Sequence, residues 1–397
     1  MWPFLAVVLL AAGAFPALER RTGWRVFEFL PPIVLTYLVV MLLAVAGTWT
    51  ATDAIREAQD AITTHALPAL LFLLMVTCDL RAIVALGPRV LGVFACAMLS
   101  ICAGLLLTFV LFRSALPADA AKIFAALNAT WVGGTANLLA VKQAIGLPDS
   151  ALASALLTDA VCYSLWVVAL FATAPLAHAF DRWSGASRRV LAAGDTLERV
   201  EPVAMLCAPP PPADLPGVAP GQVLAWLGIA LSVALGAQAV ARALPGIAIL
   251  SPTTITVLLA TLAGLLVART PLARMPGPAP IASSLLALIV AVMASKSDFS
   301  GLAAAPLFIL CGLCALAIHA ALLAGAAKLF KFDLALCGIA SLAQIGGVAS
   351  APILAAAYRP ALVPVAVLLA LLGYILGTGV GLVMAPLLTS LAPAGGG

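Results

Sequence analysis

Apolar runs about 20 residues long recur along the whole chain, and that length matches the hydrocarbon core of a bilayer. Bounded by charge, Pro or Gly, they fall at 2–18, 31–47, 66–86, 89–112, 121–145 and 150–175, and again at 221–241, 250–268, 280–296, 305–330, 332–358 and 361–388. Backbone surrounded by lipid must satisfy its own hydrogen bonds, which helices and closed barrels do. Runs this long predict an all-α polytopic membrane protein with roughly 10–13 transmembrane helices. The charge content agrees: 9% of residues are charged, against about 25% in a soluble domain. The net charge of +4 is scattered over the loops, whereas a nucleic-acid binder concentrates its basic residues in a patch.

The tract 176–220 is too polar to span. It carries Arg182, Arg188, Arg189 and Arg199 and then "APPPPADLPG", a proline-stiffened linker. It separates a first repeat, 1–175, from a second, 221–390. "LPPIVLTYLVVMLL" from Leu30 echoes "LSPTTITVLLATLA" from Leu250, Asp79 stands against Asp298, Gly133-Gly134 against Gly346-Gly347, and Asn137 against Ser350. Several matches in one order indicate duplication. Lys and Arg mark cytoplasmic loops. They favour odd-numbered loops in the first half (Arg20, Arg21, Arg25, Arg81, Arg89) and even-numbered ones in the second (Arg269, Arg274, Lys328, Lys331). That flip predicts two inverted repeats. Six full crossings per half would instead leave the copies parallel, so one segment must be re-entrant, interfacial or wrongly counted.

Two segments are interrupted in matching places, by "NATWVGGTANLLAV" (Asn128 to Val141) and "SLAQIGGVASAPIL" (Ser341 to Leu354). Paired glycines lower helix propensity, and Thr and Asn offer the backbone alternatives to the helix. Breaks there create half-helix ends, whose N-termini favour an anion and whose freed carbonyls favour a cation. Corresponding interruptions in two repeats point to a transporter site. The expected binding residues are Asn128, Thr130, Gly133, Gly134, Thr135, Asn137, Gln344, Gly346, Gly347 and Ser350. By contrast, Gly373, Gly377 and Gly381, at four-residue spacing, read as a helix-packing face.

Ionisable residues inside the membrane are functional by default. Asp159 lies ten residues into its segment, about 15 Å along a helix, near the midplane. Such a carboxylate can exchange H+ or ligate Na+. Asp159, with Asn128, Ser341 and His319, forms the expected ion-coupling set. For His319 a satisfied interhelical hydrogen bond is the preferred role. Lys142 reads as a snorkelling side chain, and Asp79, Arg81, Lys296 and Asp298 as interface anchors. Seven of the eight cysteines fall in apolar segments and read as small buried hydrophobes. The N-terminal run lacks a basic start and fits a first spanning helix. Walker loops, H-E-x-x-H and nucleophile elbows are absent from the sequence, so neither an enzyme nor a cofactor is expected.

"NATWVGGTANLLAVKQAIGLPDSALASALLTD" resembles the YjcL-like "domain of unknown function 819" membrane family, which carries a variant of "GGS.N..AV...G" and an aspartate on the next helix. That family is similar to the bile-acid/sodium symporter and cation/proton antiporter group. The resemblance implies core and panel domains, a homodimer, and two crossed, broken helices, here 121–145 and 332–358, with Asn128, Thr130, Asn137, Gln344 and Ser350 along the site. The expected function is secondary active transport of a small organic, anionic solute coupled to Na+ or H+ in a bacterial inner membrane. The alternative is cation/proton antiport.

Overall fold

The computed structural model describes residues 2–24, 26–29, 32–78, 80–186, 218–244, 252–296, 304–359 and 362–392. Among these residues every regular element is helical. The first half comprises α1 (Trp2–Thr22), α2 (Val26–Phe29), α3 (Pro32–Val45), α4 (Asp53–Val76), α5 (Leu80–Ala85), α6 (Gly87–Phe112), α7 (Ala120–Gly133), α8 (Thr135–Ile145), α9 (Asp149–Thr173) and α10 (Ala177–Ser184). The second comprises α11 (Pro220–Ala243), α12 (Pro252–Val267), α13 (Pro278–Ala294), α14 (Ala305–Phe330), α15 (Leu334–Ile345), α16 (Gly347–Tyr358) and α17 (Val363–Ser390). Seven helical runs are long and apolar enough to cross a bilayer, with α9 and α10 counted as one. The protein is therefore a multi-pass membrane protein. Proline near the first position starts α6, α11, α13, α14 and α17, where its missing N–H costs no helical hydrogen bond.

Two segments differ from expectation in their extent. The run placed at 66–86 begins earlier and stops sooner, as α4 followed by a separate α5. Its polar first turns stay helical because they find partners on the end of α13: Gln59 Nε2 donates to Ser295 Oγ at 2.8 Å, and Lys296 Nζ pairs with Asp60 at 2.5 Å. The tract read as a linker from 176 opens with α10. Its residues 187–217 lie outside the described residues, as do Asp79 and Asp298.

The helices pack as two bundles. α1, α3 and α4 associate with α11, α12 and α13; α6 to α9 associate with α14 to α17. Each half thus supplies its first three long apolar segments to the outer bundle and its last three to the inner one.

The interrupted segments correct the sequence expectation most. They were expected to cross the membrane as broken helices; instead each folds back on itself. Lys122, at the start of α7, donates through Nζ to the carbonyl of Gly146, just past α8, at 3.2 Å. Laid end to end, those residues would stand about 36 Å apart at 1.5 Å per residue, far beyond the reach of one side chain. α7 and α8 are therefore a helical hairpin with its tip at Gly133-Gly134. The second hairpin, α15 and α16, is shown by Gly338, whose Cβ direction meets Leu354 at 3.7 Å and the Tyr358 ring at 3.8 Å. Its tip is Gly346-Gly347.

The hairpins enter from opposite ends of the inner bundle. The base of the first lies where α6 ends and α9 begins, with Lys142 Nζ on Asp149 Oδ1 at 2.6 Å. The base of the second lies where α6 begins and α14 ends. There Arg89 donates to the carbonyl of Lys331 at 2.6 Å, and Asp181 Oδ1 accepts from Leu334 N at 3.0 Å. α17 runs alongside both. Its Gly377 and Gly381 lie against Gly133, Ala129 and Val141 of the first hairpin, and Gly373 against the carbonyl of Val132. Small residues at four-residue spacing let these backbones approach closely.

Candidate functional site

The two tips meet at one side chain. A Cβ built on Gly134 would stand 3.2 Å from Tyr374 Cε1, and one built on Gly347 would stand 3.2 Å from Tyr374 Oη. Tyr374, midway along α17, therefore separates the hairpins. Both tips need glycine. Gly134 has φ 79 and ψ 173, and Gly347 has φ 65, conformations an L side chain rarely adopts. Four helix ends converge here: the C-termini of α7 and α15 and the N-termini of α8 and α16. Neither N-terminus has a side-chain cap, and the start of α16 lies against the Tyr374 hydroxyl.

Beside the tips lies a cavity of about 300 Å³. Its inner wall carries Thr130, Thr135, Asp159, Tyr163 and Tyr374. Its outer wall comes from the other bundle, through Ile33 of α3, Leu70 and Leu74 of α4, and Ser283 and Leu286 of α13. The cavity thus sits at the seam between bundles. Thr130 Oγ1 donates to Asp159 Oδ2 at 3.4 Å, the Trp131 indole lies alongside, and Asp159 Oδ1 has no hydrogen-bond partner.

Of the residues singled out in the sequence, Thr130, Gly133, Gly134, Thr135, Asp159, Gly346 and Gly347 line this cavity. The others sit behind it. Asn137 Nδ2 donates to the carbonyl of Gly133, and its Oδ1 accepts from Thr378 Oγ1. Its amide therefore closes the first tip and turns away from any solute. Ser350 takes the matching place four residues after Gly346, beside Tyr163 of α9. Asn128 is fully buried, accepting from Cys102 Sγ at 3.5 Å. Gln344 Nε2 donates to the carbonyl of Phe94 at 2.8 Å and ties the second hairpin to α6.

His319 and Ser341 belong to a separate buried chain. His319 Nδ1 lies 2.7 Å from Ser100 Oγ and Nε2 lies 2.8 Å from Ser341 Oγ. Ser100 Oγ donates to the carbonyl of Ala97, and Ser341 Oγ accepts from the Trp166 indole at 2.9 Å. Those assignments leave Nδ1 as the ring's donor and Nε2 as its acceptor, a neutral imidazole with both nitrogens satisfied. It joins α6, α9, α14 and α15, and neither His319 nor Ser341 reaches the cavity.

Tyr163 and Tyr374 were missed. The available signal was chemical: tyrosine is scarce here, at four residues, and a buried phenol needs a hydrogen-bond partner.

A family model described as "Protein of unknown function (DUF819)" matches residues 6–391. No curated protein matches the chain.

Proposed function

The chain belongs to the DUF819 family of proteins of unknown function, and we propose that it is a secondary active transporter moving a small organic anion coupled to Na+ or H+. One observation carries this proposal: two hairpin tips bring four helix ends and the Asp159 carboxyl to a single cavity at the seam between two bundles. Helix N-termini favour anions and their C-termini favour cations. The mostly aliphatic outer wall suits a short hydrocarbon body on the solute. It also gives the inner bundle a smooth surface to move along, so that the hairpins expose the cavity to one side of the membrane and then the other.

Counting each hairpin as no crossing supports the inverted duplication. Five passes per half is an odd number, so the second copy begins on the opposite side from the first, as the flipped charge bias requires. The protein works as a homodimer in a bacterial inner membrane, driven by an ion gradient.

The test is thermal stabilisation of the purified full chain by isovalerate, benzoate and succinate, in sodium or choline salts at several pH values. Any stabiliser is then followed by gradient-driven uptake into proteoliposomes. A ligand that binds the folded state raises stability by RT ln(1 + [L]/Kd). Stabilisation by a carboxylate, with accumulation against its gradient, is the expected result. If none of the three stabilises or accumulates, solute transport is wrong. If Na+ or K+ alone stabilises in a pH-dependent way, Asp159 serves cation/proton antiport.

A further inference from the structure

Among the described residues lining the cavity, Asp159 is the only carboxyl group, and no Lys, Arg or His stands there. A sodium ion bound at this point would need several oxygens around it, drawn chiefly from carbonyls freed at the breaks. At the first tip three of these carbonyls already accept a hydrogen bond. The Thr130 carbonyl accepts from Gly134 N at 2.6 Å, the Gly134 carbonyl from Asn137 N at 2.9 Å, and the Gly133 carbonyl from Asn137 Nδ2. At the second tip the Leu342 carbonyl accepts from Gly346 N at 2.8 Å. The groups directly on the Asp159 carboxyl are donors, the Thr130 hydroxyl on Oδ2 and the Trp131 indole alongside, and Oδ1 is left without a hydrogen-bond partner. Such a place suits a proton, which needs a single oxygen.

We infer, resting on the transporter function proposed above, that the coupling ion is a proton held on Asp159 Oδ1, and that it binds together with the anionic solute because the two share one cavity.

The physical link is electrostatic. An ionised Asp159 and a carboxylate solute inside one small, largely apolar space repel each other, and no lining cation offsets that repulsion. Protonation removes it, so the proton favours the anion and, reciprocally, the anion favours the proton by the same factor. The proton comes from water on one side and leaves to water on the other; no covalent bond to the solute forms. The other titratable groups near Asp159 are Cys162 and Tyr163 on its own helix and Tyr374 from α17. α3, α4, α13 and the two hairpins bring none to the cavity wall. Among the described lining residues no second carboxyl group and no histidine stands ready to share the proton.

The experiment is infrared difference spectroscopy of the full chain in lipid across a pH series, in sodium or choline salts, with and without isovalerate, for wild type and Asp159→Asn. A protonated-carboxyl band that grows as pH falls, is indifferent to sodium and is missing from Asp159→Asn is expected. With isovalerate the wild-type band should extend to higher pH, and a weakly buffered sample with a pH dye should take up one proton per anion bound. A wild-type Asp159 that stays ionised wherever the protein is folded, or a band that sodium suppresses, overturns the inference; both are read on wild type even if the variant fails to fold. Should the band behave as stated while isovalerate, benzoate and succinate all fail to bind, the proton site stands and solute transport falls.

Discussion

Replacing Gly377 by alanine tests the close docking of the first hairpin on α17. The new Cβ would lie 2.8 Å from Gly133 Cα, 2.9 Å from the Ala129 carbonyl oxygen and 2.9 Å from Asn137 Cγ. Carbon atoms in good contact stand about 3.5–4.0 Å apart, so every one of these approaches is too short. Two of the three are to backbone, and the third is to a side chain held by Gly133 and Thr378. None of them can swing aside. Overpacking of this kind costs about 1–3 kcal/mol, and the absence of a yielding neighbour argues for the upper end. Alanine also gains about 0.5–1 kcal/mol over glycine inside a helix. That gain is removed by comparison with Gly379→Ala, two residues on, where the added Cβ meets nothing within 4 Å. The difference between the two variants therefore isolates the clash. The assay is unfolding of both in one detergent by circular dichroism, with the isovalerate response measured alongside. Gly377→Ala should be the less stable by about 2–3 kcal/mol and should respond more weakly to isovalerate, because displaced Gly133 belongs to the cavity wall. Equal stability of the two variants would refute the docking geometry.

Three further outcomes follow from other parts of the molecule. In a cysteine-free background, Ala118→Cys and Pro148→Cys, before α7 and after α8, should label from one face of the membrane, and Phe330→Cys and Arg359→Cys from the other; labelling of 118 and 148 from opposite faces would restore a crossing helix. His319→Phe strands the Ser100 and Ser341 hydroxyls, so it should cost about 2–4 kcal/mol in unfolding measurements while the pH dependence of isovalerate stabilisation stays put; a moved pH profile would make His319 a proton participant. Asp333, in the link between α14 and α15, has its carboxyl pushed up from the usual carboxylate range by burial, helped by the neighbouring Asp181. A carboxyl raised in the folded state contributes stability at low pH that is lost as pH rises through its folded value. Asp333→Asn keeps an acceptor for Leu336 N, now at 2.9 Å, so it should raise the melting temperature near neutral pH and lose that advantage in acid; an advantage that grows in acid would contradict the assignment.

The sequence alone determined the solvent, the helices and the places where they break. Apolar length set the spans: the run read as 305–330 is α14, Ala305–Phe330. The glycine pairs marked both breaks, because a backbone at φ 79 or φ 65 admits little else. These are local properties, written in neighbouring residues. What a break leads to is not local. Gly134 could equally have joined two collinear half-helices, and the chain folds back because Gly373, Gly377 and Gly381, more than two hundred residues later, offer a surface low enough to receive the first hairpin. Tertiary packing also sorted the polar side chains. Asn137 serves its own tip and His319 a buried chain of serines, while Thr130 and Asp159 face the cavity. A hydrogen-bonding group in lipid must find some partner, and its own sequence neighbourhood cannot say whether that partner is the protein or a solute.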